Sequence, residues 1–252
     1  MTSHSQREWR YAVIDVHCHI LPGVDDGARS TEAAVAMARE FVADGVRIAF
    51  ATSHFCHAFR VDRETVLRKL DALQAELDRL GIPLKLLPGN EVRLESTRFF
   101  YDHLENDSFA FLGGTRRFLL LEQSWDAYNP DTPAIVRELA AQGIRVILAH
   151  PERMHFFQEK PKLVEKLVEA GAWMQLNAGS LAGEHGPHAQ RAALEFVKRG
   201  LVHTIGSDSH NANWRKPNLS QGYRIVERHA GPEAAEAIRS RTAEIVPAAA
   251  KR

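Results

Sequence analysis

The sequence predicts an α/β fold, a distorted (β/α)7 TIM-like barrel, and three observations carry that expectation. Seven short apolar runs alternate with segments of helical periodicity. Each crossover between runs reads as a helix, which neighbouring parallel strands require. Six of the seven runs then stop on a residue type that binds metal, and a parallel barrel gathers its chemistry at the carboxyl ends of its strands. A chain of 252 residues with 44% apolar content can bury one large core. One domain is therefore expected over residues 1–252, frayed at 1–10 and 247–252.

The first strand is the run Tyr11-Ala12-Val13-Ile14, which leads into Asp15-Val16-His17-Cys18-His19. Side chains alternate faces along a strand, so His17 and His19 share one face and Cys18 takes the other. Residues 20–27 read as a loop from their Pro, Gly and Asp content. Ser30 or Thr31 caps the next helix, with Ala34, Val35, Ala38, Phe41 and Val42 at helical spacing and Gly45 as its stop. The second strand, 46–52, delivers Ser53-His54. Asp62 opens a long helix whose Val66, Leu67, Leu70, Leu73, Leu77 and Leu80 form a packing stripe, closed by Gly81.

The third strand, 84–87, runs into Pro88-Gly89-Asn90-Glu91, and residues 99–111 mix aromatics with acids as a short helix and loop would. A fourth strand, 118–121, ends at Glu122. Asp131 or Thr132 caps a helix with Pro133 in its first turn and Gly143 at its end. The fifth strand, 146–149, leads into His150-Pro151-Glu152-Arg153. A helix from Pro161 carries Leu163, Val164, Leu167 and Val168 and ends at Gly171; the sixth strand, 173–176, ends at Asn177. Residues 187–199 are helical again, and the seventh strand, 201–205, releases Gly206-Ser207-Asp208-Ser209-His210. Two helices separated by Gly231-Pro232 follow.

Charge and cysteine usage narrow the function classes. The 32 basic and 32 acidic side chains cancel, so no net field steers the chain toward nucleic acid or an anionic membrane. Cys18 and Cys56 are too few for a disulfide framework. Residues 1–10 lack the apolar core of a signal peptide, and no apolar run approaches the ~18 residues of a membrane span. A soluble, cytoplasmic protein is expected.

In order, the strand ends offer His17 and His19, His54, Glu91, Glu122, His150, Asn177, and Asp208 with His210. Imidazole and carboxylate without thiolate suit Mn, Fe or Zn rather than a structural Cys zinc site. One catalytic ion needs about three or four protein ligands. Nine candidates, counting Asp26, therefore argue for more than one ion. Taken together these passages resemble the PHP (polymerase and histidinol phosphatase) superfamily. Within it, they are most similar to the manganese-dependent bacterial protein-tyrosine phosphatases associated with capsule and exopolysaccharide synthesis. The likeness runs from about residue 14 to 215 and is most specific at Asp15-Val16-His17-Cys18-His19-Ile20, Val24-Asp25-Asp26-Gly27, Thr52-Ser53-His54, Gly89-Asn90-Glu91, Ala149-His150-Pro151-Glu152-Arg153 and Ser207-Asp208-Ser209-His210-Asn211.

That resemblance implies a PHP-type barrel with three divalent metals, Mn above Fe or Zn. It implies His17, His19, Glu91 and Asp208 on the first metal, with Glu91 bridging to a second completed by Glu122 and His150, and Asp26, His54 and His210 on the third. The carboxylates Asp26 and Glu122 stand where the histidinol phosphatase branch looks richer in histidine, which favours the tyrosine phosphatase branch and a harder metal. Arg153 and Arg215 match the family's paired arginines, and two parallel hydrogen bonds from guanidinium to phosphate suit a clamp. Two adjacent cations would lower the pKa of a shared water toward roughly 7. A tyrosine leaving group, with a pKa of about 10, asks little of a general acid. His54 or a metal-held water could assist. The implied partner is the tyrosine-rich cytoplasmic tail of a membrane-bound autokinase.

Other readings remain at this point. One is a small-molecule phosphomonoesterase such as histidinol-phosphatase. An amidohydrolase would place a modified Lys at the end of strand four, where this chain has Glu122. A nuclease would show a basic groove. A metal-stabilised, non-catalytic binding module would be expected to lose ligands. Asn177 contacts substrate or an outer group, or caps a loop, and His57, His155, His185 and His188 receive no role.

Overall fold

The computed structural model describes residues 13–251; Tyr11, Ala12, the expected frayed stretch 1–10 and Arg252 lie outside the described residues. Seven strands follow in chain order as β1 (Val13–Cys18), β2 (Val46–Phe55), β3 (Lys85–Leu94), β4 (Phe118–Gln123), β5 (Arg145–Ala149), β6 (Trp173–Asn177) and β7 (Thr204–Gly206). Each pairs in parallel with the next. The ring nearly closes just beyond β7, where the His19 N–H donates to the Ser209 carbonyl at 2.9 Å and the Asp208 N–H donates to the His17 carbonyl at 2.8 Å. The distorted (β/α)7 barrel expected from the alternation is the fold observed.

The crossovers are α1 (Thr31–Ala43), α2 (Arg63–Arg79), α3 (Thr97–Glu105), α4 (Thr132–Ala141), α5 (His155–Glu159), α6 (Lys162–Glu169), α7 (Ala178–Ala182) and α8 (Gly186–Lys198), followed by α9 (Leu219–Ala230) and α10 (Pro232–Ile245). Ser30 caps α1 by accepting the Ala33 N–H, and Asp62 caps α2 by accepting the Thr65 N–H. These bonds satisfy donors that a helix start leaves unpaired. Val66, Leu70, Leu73 and Leu77 of α2 are buried as the stripe predicts, whereas Leu67, about 100° further round the helix, is half out in solvent.

Two apolar layers hold the barrel. The outer one packs Ala49, Ala51, Leu86, Leu119, Leu148 and Met174 against helix residues such as Phe41 and Leu73. The inner one fills the ring with Ile14, Val16, Ile48, Phe50, Leu120 and Ile147, and Leu112, Ile245 and Val246 join it. A register irregularity matters here: Asp15 faces Ala49 while Cys18 faces Ala51, three residues of β1 against two of β2. Such a bulge resets the alternation. Ile14 and Val16 can then line the inner core while His17 and His19 point to the same interior, and Cys18 packs outward with its Sγ donating to the Phe50 carbonyl at 3.2 Å.

Several boundaries differ from the sequence reading. β1, β2 and β3 run on through polar residues, because those side chains face a polar cluster inside the ring and do not end the ladder. β7 is short, since the Leu201 N–H is taken by the Phe196 carbonyl in the turn that ends α8. Where the chain reads as a frayed C-terminus, residues 248–251 form a 3-10 turn and Ala250 packs on the inner core. No helix among the described residues is long and apolar enough to cross a membrane.

Asn90 binds the upper rim together. Its buried Nδ2 donates to the Ser53 and Val61 carbonyls at 2.8 and 2.9 Å, and its Oδ1 accepts the Ala110 N–H at 2.7 Å. Asn90→Ala leaves these groups without their partner and is expected to destabilise the fold by about 2–4 kcal/mol. Denaturant unfolding with metal present measures it; a change below about 0.5 kcal/mol would remove Asn90 from this role.

Candidate metal centre

All nine candidate ligands, scattered from His17 to His210 in sequence, converge at the carboxyl end of the barrel. His17 and His19 bring their Nε2 atoms to 3.3 Å of each other. Glu91 Oε2 lies 3.4 Å from each, and Asp208 Oδ1 lies 3.6 Å from His17 and 3.5 Å from His19. Ligands about 2.1 Å from a shared ion at tetrahedral corners stand about 3.4 Å apart. The five separations of the two imidazoles from each other, from Glu91 and from Asp208 are therefore of the size that a shared first-row divalent ion sets, and His17, His19 and Asp208 form one compact group.

Glu91 reaches further groups from the same position. His150 Nε2 lies 2.8 Å from its Oε1 and 3.7 Å from Glu122 Oε1, and Glu91 is the member shared by two further groups, His17–Glu91–His150 and His54–Glu91–Glu122. A fourth group joins His19 to Asp26, His54 and His210, with Asp26 Oδ1 3.4 Å from both His54 Nε2 and His210 Nε2. His54 Nδ1 is 2.9 Å from Glu91 Oε2 but misaligned for a hydrogen bond, and both buried atoms lack a hydrogen-bond partner. Buried polar atoms left open in this way mark a place for a ligand or ion.

Local backbone geometry serves these positions. Gly27 lets the Asp26 loop close on β1, because a Cβ there would fall 2.1 Å from the His19 carbonyl oxygen. His150 and Asp208 hold positive φ of 31° and 52°. That region is costly for residues other than glycine and is often kept at functional sites.

Electrostatics points the same way. Burial alone would raise the Glu91 carboxyl, yet His17 and His54 hold it well below the usual carboxylate range. Asp208, equally buried, is held down by His17 and Arg215. Burial would lower His17, but Glu91 and Asp208 push it up to about 9. His54 is likewise driven up to about 12 by Glu91 and Asp26 against the effect of burial. Burial and the Glu91 charge raise Glu122. The carboxylates thus create a demand for positive charge that divalent cations answer.

Outer partners fix the ring orientations. The His17 Nδ1–H donates to Gln175 Oε1 at 2.8 Å, the His19 Nδ1–H to Asp25 Oδ2 at 2.9 Å, and the His210 Nδ1–H to the Asp208 carbonyl at 2.9 Å. Each bond leaves Nε2 with its lone pair toward the centre, the usual arrangement around ligating histidines. Asp25 also accepts the backbone N–H groups of Gly27 and His54. Glu122 is held by Arg93 Nε at 2.5 Å and by Trp125 Nε1 at 2.8 Å. Sequence reasoning assigns no role to Gln175, Arg93 or Trp125, and Asp25 enters it only as part of Val24-Asp25-Asp26-Gly27. Two of them were within sight: Asp25 adjoins Asp26, and Arg93 shares the strand face of Glu91 by alternation. Asn177, left open between substrate and outer contact, donates through Nδ2 to Asp208 Oδ2 at 2.8 Å.

Arg153 and Arg215 meet at that same oxygen, at 2.6 and 2.9 Å from Asp208 Oδ2. They line a cavity of about 200 Å³ with His185, Trp214 and Lys216. Arg215 Nε and His185 Nδ1 are buried without hydrogen-bond partners. Burial and the Arg153 charge lower His185 to about 4, so its imidazole is neutral. Of the other histidines without an expected role, His57 pairs with Glu95 in the loop after β2, His188 lies in α8 and contacts Arg191, and His155 begins α5 and packs edge-on against Phe156.

Residues 13–246 match the family described as capsular polysaccharide synthesis, CpsB/CapC. The chain is 33% identical over 226 residues to the tyrosine-protein phosphatase YwqE of Bacillus subtilis, covering 88% of this chain and 86% of that protein. It is 28% identical over 229 residues to the tyrosine-protein phosphatase CpsB of Streptococcus agalactiae, covering 88% and 93%. A solved structure from work on YwqE of Bacillus subtilis and CpsB of Streptococcus pneumoniae, described as unique metal-dependent tyrosine phosphatases, matches with a TM-score of 0.84 at 32% identity, over 88% of this chain and 90% of that one. The histidinol phosphate phosphatase of Lactococcus lactis, at 14% identity and a TM-score of 0.55 over 86% and 95% of the two chains, shares the fold.

Proposed function

Because the chain belongs to the CpsB/CapC family of capsular polysaccharide synthesis, we propose that it is a metal-dependent protein-tyrosine phosphatase whose cluster of nine ligands holds three divalent ions, Mn first among them. The observation that carries this reading is the set of separations of 3.3–3.6 Å from His17 and His19 to each other, to Glu91 and to Asp208. In the reading, these four residues hold the first ion, Glu91, Glu122 and His150 the second, and Asp26, His54 and His210 the third. The carboxylates Asp26, Glu91, Glu122 and Asp208 favour a hard ion such as Mn. Bound divalent cations supply an acidified water as nucleophile at neutral pH and offset charge on the phosphoryl oxygens.

The chain's own groups do the rest. Arg153 and Arg215 converge on one cavity, and there they bind the phosphoryl oxygens and offset the negative charge that grows on them. His54 has both ring nitrogens facing carboxylates, and this supports a place in the ligand set over proton delivery. A phenolate with a pKa of about 10 departs with little protonation. The physiological substrate in this reading is the tyrosine-rich tail of a membrane-bound autokinase, met in the cytoplasm; the family's role in capsular polysaccharide synthesis supports it.

The test compares Mn-dependent hydrolysis of phosphotyrosine peptides with that of histidinol phosphate. A clear preference for histidinol phosphate would overturn the substrate while leaving the metal centre in place. Arg153→Ala or Arg215→Ala should lower kcat/KM by about 10²–10³-fold at unchanged metal content. The reason is a division of labour, since the arginines meet Asp208 Oδ2 whereas the histidines meet its Oδ1. Parallel loss of metal would make the arginines supports of Asp208 and not a clamp.

A further inference from the structure

Among the described residues the large apolar side chains at the surface are Leu67, Trp125 and Trp214, and Trp214 is exposed by 76% against 38% for the other two. An indole left this open contributes little to folding, because only a minor part of its apolar area is removed from water. Its backbone, in contrast, is tightly fixed. Asn211 Oδ1 accepts the N–H groups of Asn213, Trp214 and Arg215 at 3.0, 3.0 and 3.1 Å, and the Arg215 carbonyl accepts from the His210 N–H and from Ser209 Oγ. The turn thus holds an unpacked indole at a set position between a candidate ligand, His210, and the clamp residue Arg215.

Trp214 is also a wall of two cavities. One, of about 200 Å³, contains Arg153, His185, Arg215 and Lys216; the other, of about 510 Å³, contains Asp26, Arg29, His210 and Arg215. Cationic groups and an indole side by side match a ligand with an anionic head and an aromatic body. We infer that Trp214 is the docking surface for the aromatic ring of the substrate and so a specificity-determining residue for aryl over alkyl phosphate esters. The inference rests on the phosphotyrosine reading above and adds to it the group that recognises the ring. Aromatic pairs in offset or edge-to-face contact are favourable beyond simple burial, and an exposed indole on a rigid turn offers such a contact at small ordering cost.

Three measurements on the metal-loaded enzyme test it: KM for a phosphotyrosine peptide, KM for phenyl phosphate, and the inhibition constant of inorganic phosphate, which probes the anion site without a ring. Trp214→Ala should raise both KM values by about 3- to 10-fold and leave the phosphate constant unchanged, and Trp214→Phe should restore most of the loss. An inhibition constant that rises in step would show a disturbed clamp, and the inference would fail. It would fail equally if neither KM moved, or if only the peptide KM rose, which would place the indole against flanking peptide. A wild-type enzyme inactive on phosphotyrosine, but losing phenyl phosphate affinity in Trp214→Ala, would overturn the substrate reading and keep the ring-docking role.

Discussion

The Glu91→Gln variant is expected to fold, to lose bound metal and to turn over substrate more than about 10²-fold more slowly. Outer partners of ligating residues already cost about 10–100-fold when mutated, and in the proposed centre Glu91 stands inside that shell. Its Oε1 lies 2.8 Å from His150, and its Oε2 lies 3.4 Å from both His17 and His19 and 2.9 Å from His54. No other carboxylate of the centre touches four imidazoles among the described residues. Gln preserves the shape but removes the charge and turns an amide N–H₂ toward the cluster, where an acceptor is needed. Circular dichroism should show an intact barrel, while metal analysis and turnover fall together. Near-normal activity with full metal content would remove Glu91 from the proposed ligand set.

Much of this centre was legible in one dimension because strand ends are where a parallel barrel places its chemistry. The alternation of apolar runs and helices located six strand ends carrying histidine or carboxylate, and the structure brings those residues together. Two kinds of feature escaped. The rule that a strand stops at a polar residue cut β2 at Thr52 and β3 at Leu87, whereas their ladders continue to Phe55 and Leu94. His54 and Glu91 lie within the strands because the interior they face is polar. Pairings across large sequence separations, such as His17 with Gln175, Glu122 with Arg93, and Arg153 with Asp208, also leave no mark in spacing. The five-residue helices α5 and α7 are too short to show a helical period.

The chemical class of the enzyme rests on what its thiols can do. Many protein-tyrosine phosphatases attack phosphorus with a cysteine thiolate held near an arginine six residues later, and the nucleophile must be ionised to react. Here the residue six after Cys18 is Val24 and six after Cys56 is Asp62. Cys18 is fully buried in the helix-facing layer, its Sγ donates to the Phe50 carbonyl, and burial with the nearby Asp15 charge pushes its thiol well above the ordinary value. Cys56 is buried too and accepts the Phe59 N–H at 3.4 Å, a contact that serves the loop after β2. Neither sulfur belongs to the ligand clusters. The Cys18→Ser, Cys56→Ser double variant should therefore keep most of its phosphatase activity, since serine can reproduce both hydrogen bonds. A chelator should abolish the activity of the same variant, and added Mn should restore it. An enzyme that survived chelation but died on thiol alkylation would be a cysteine phosphatase, and the histidine and carboxylate cluster would have to be assigned another purpose.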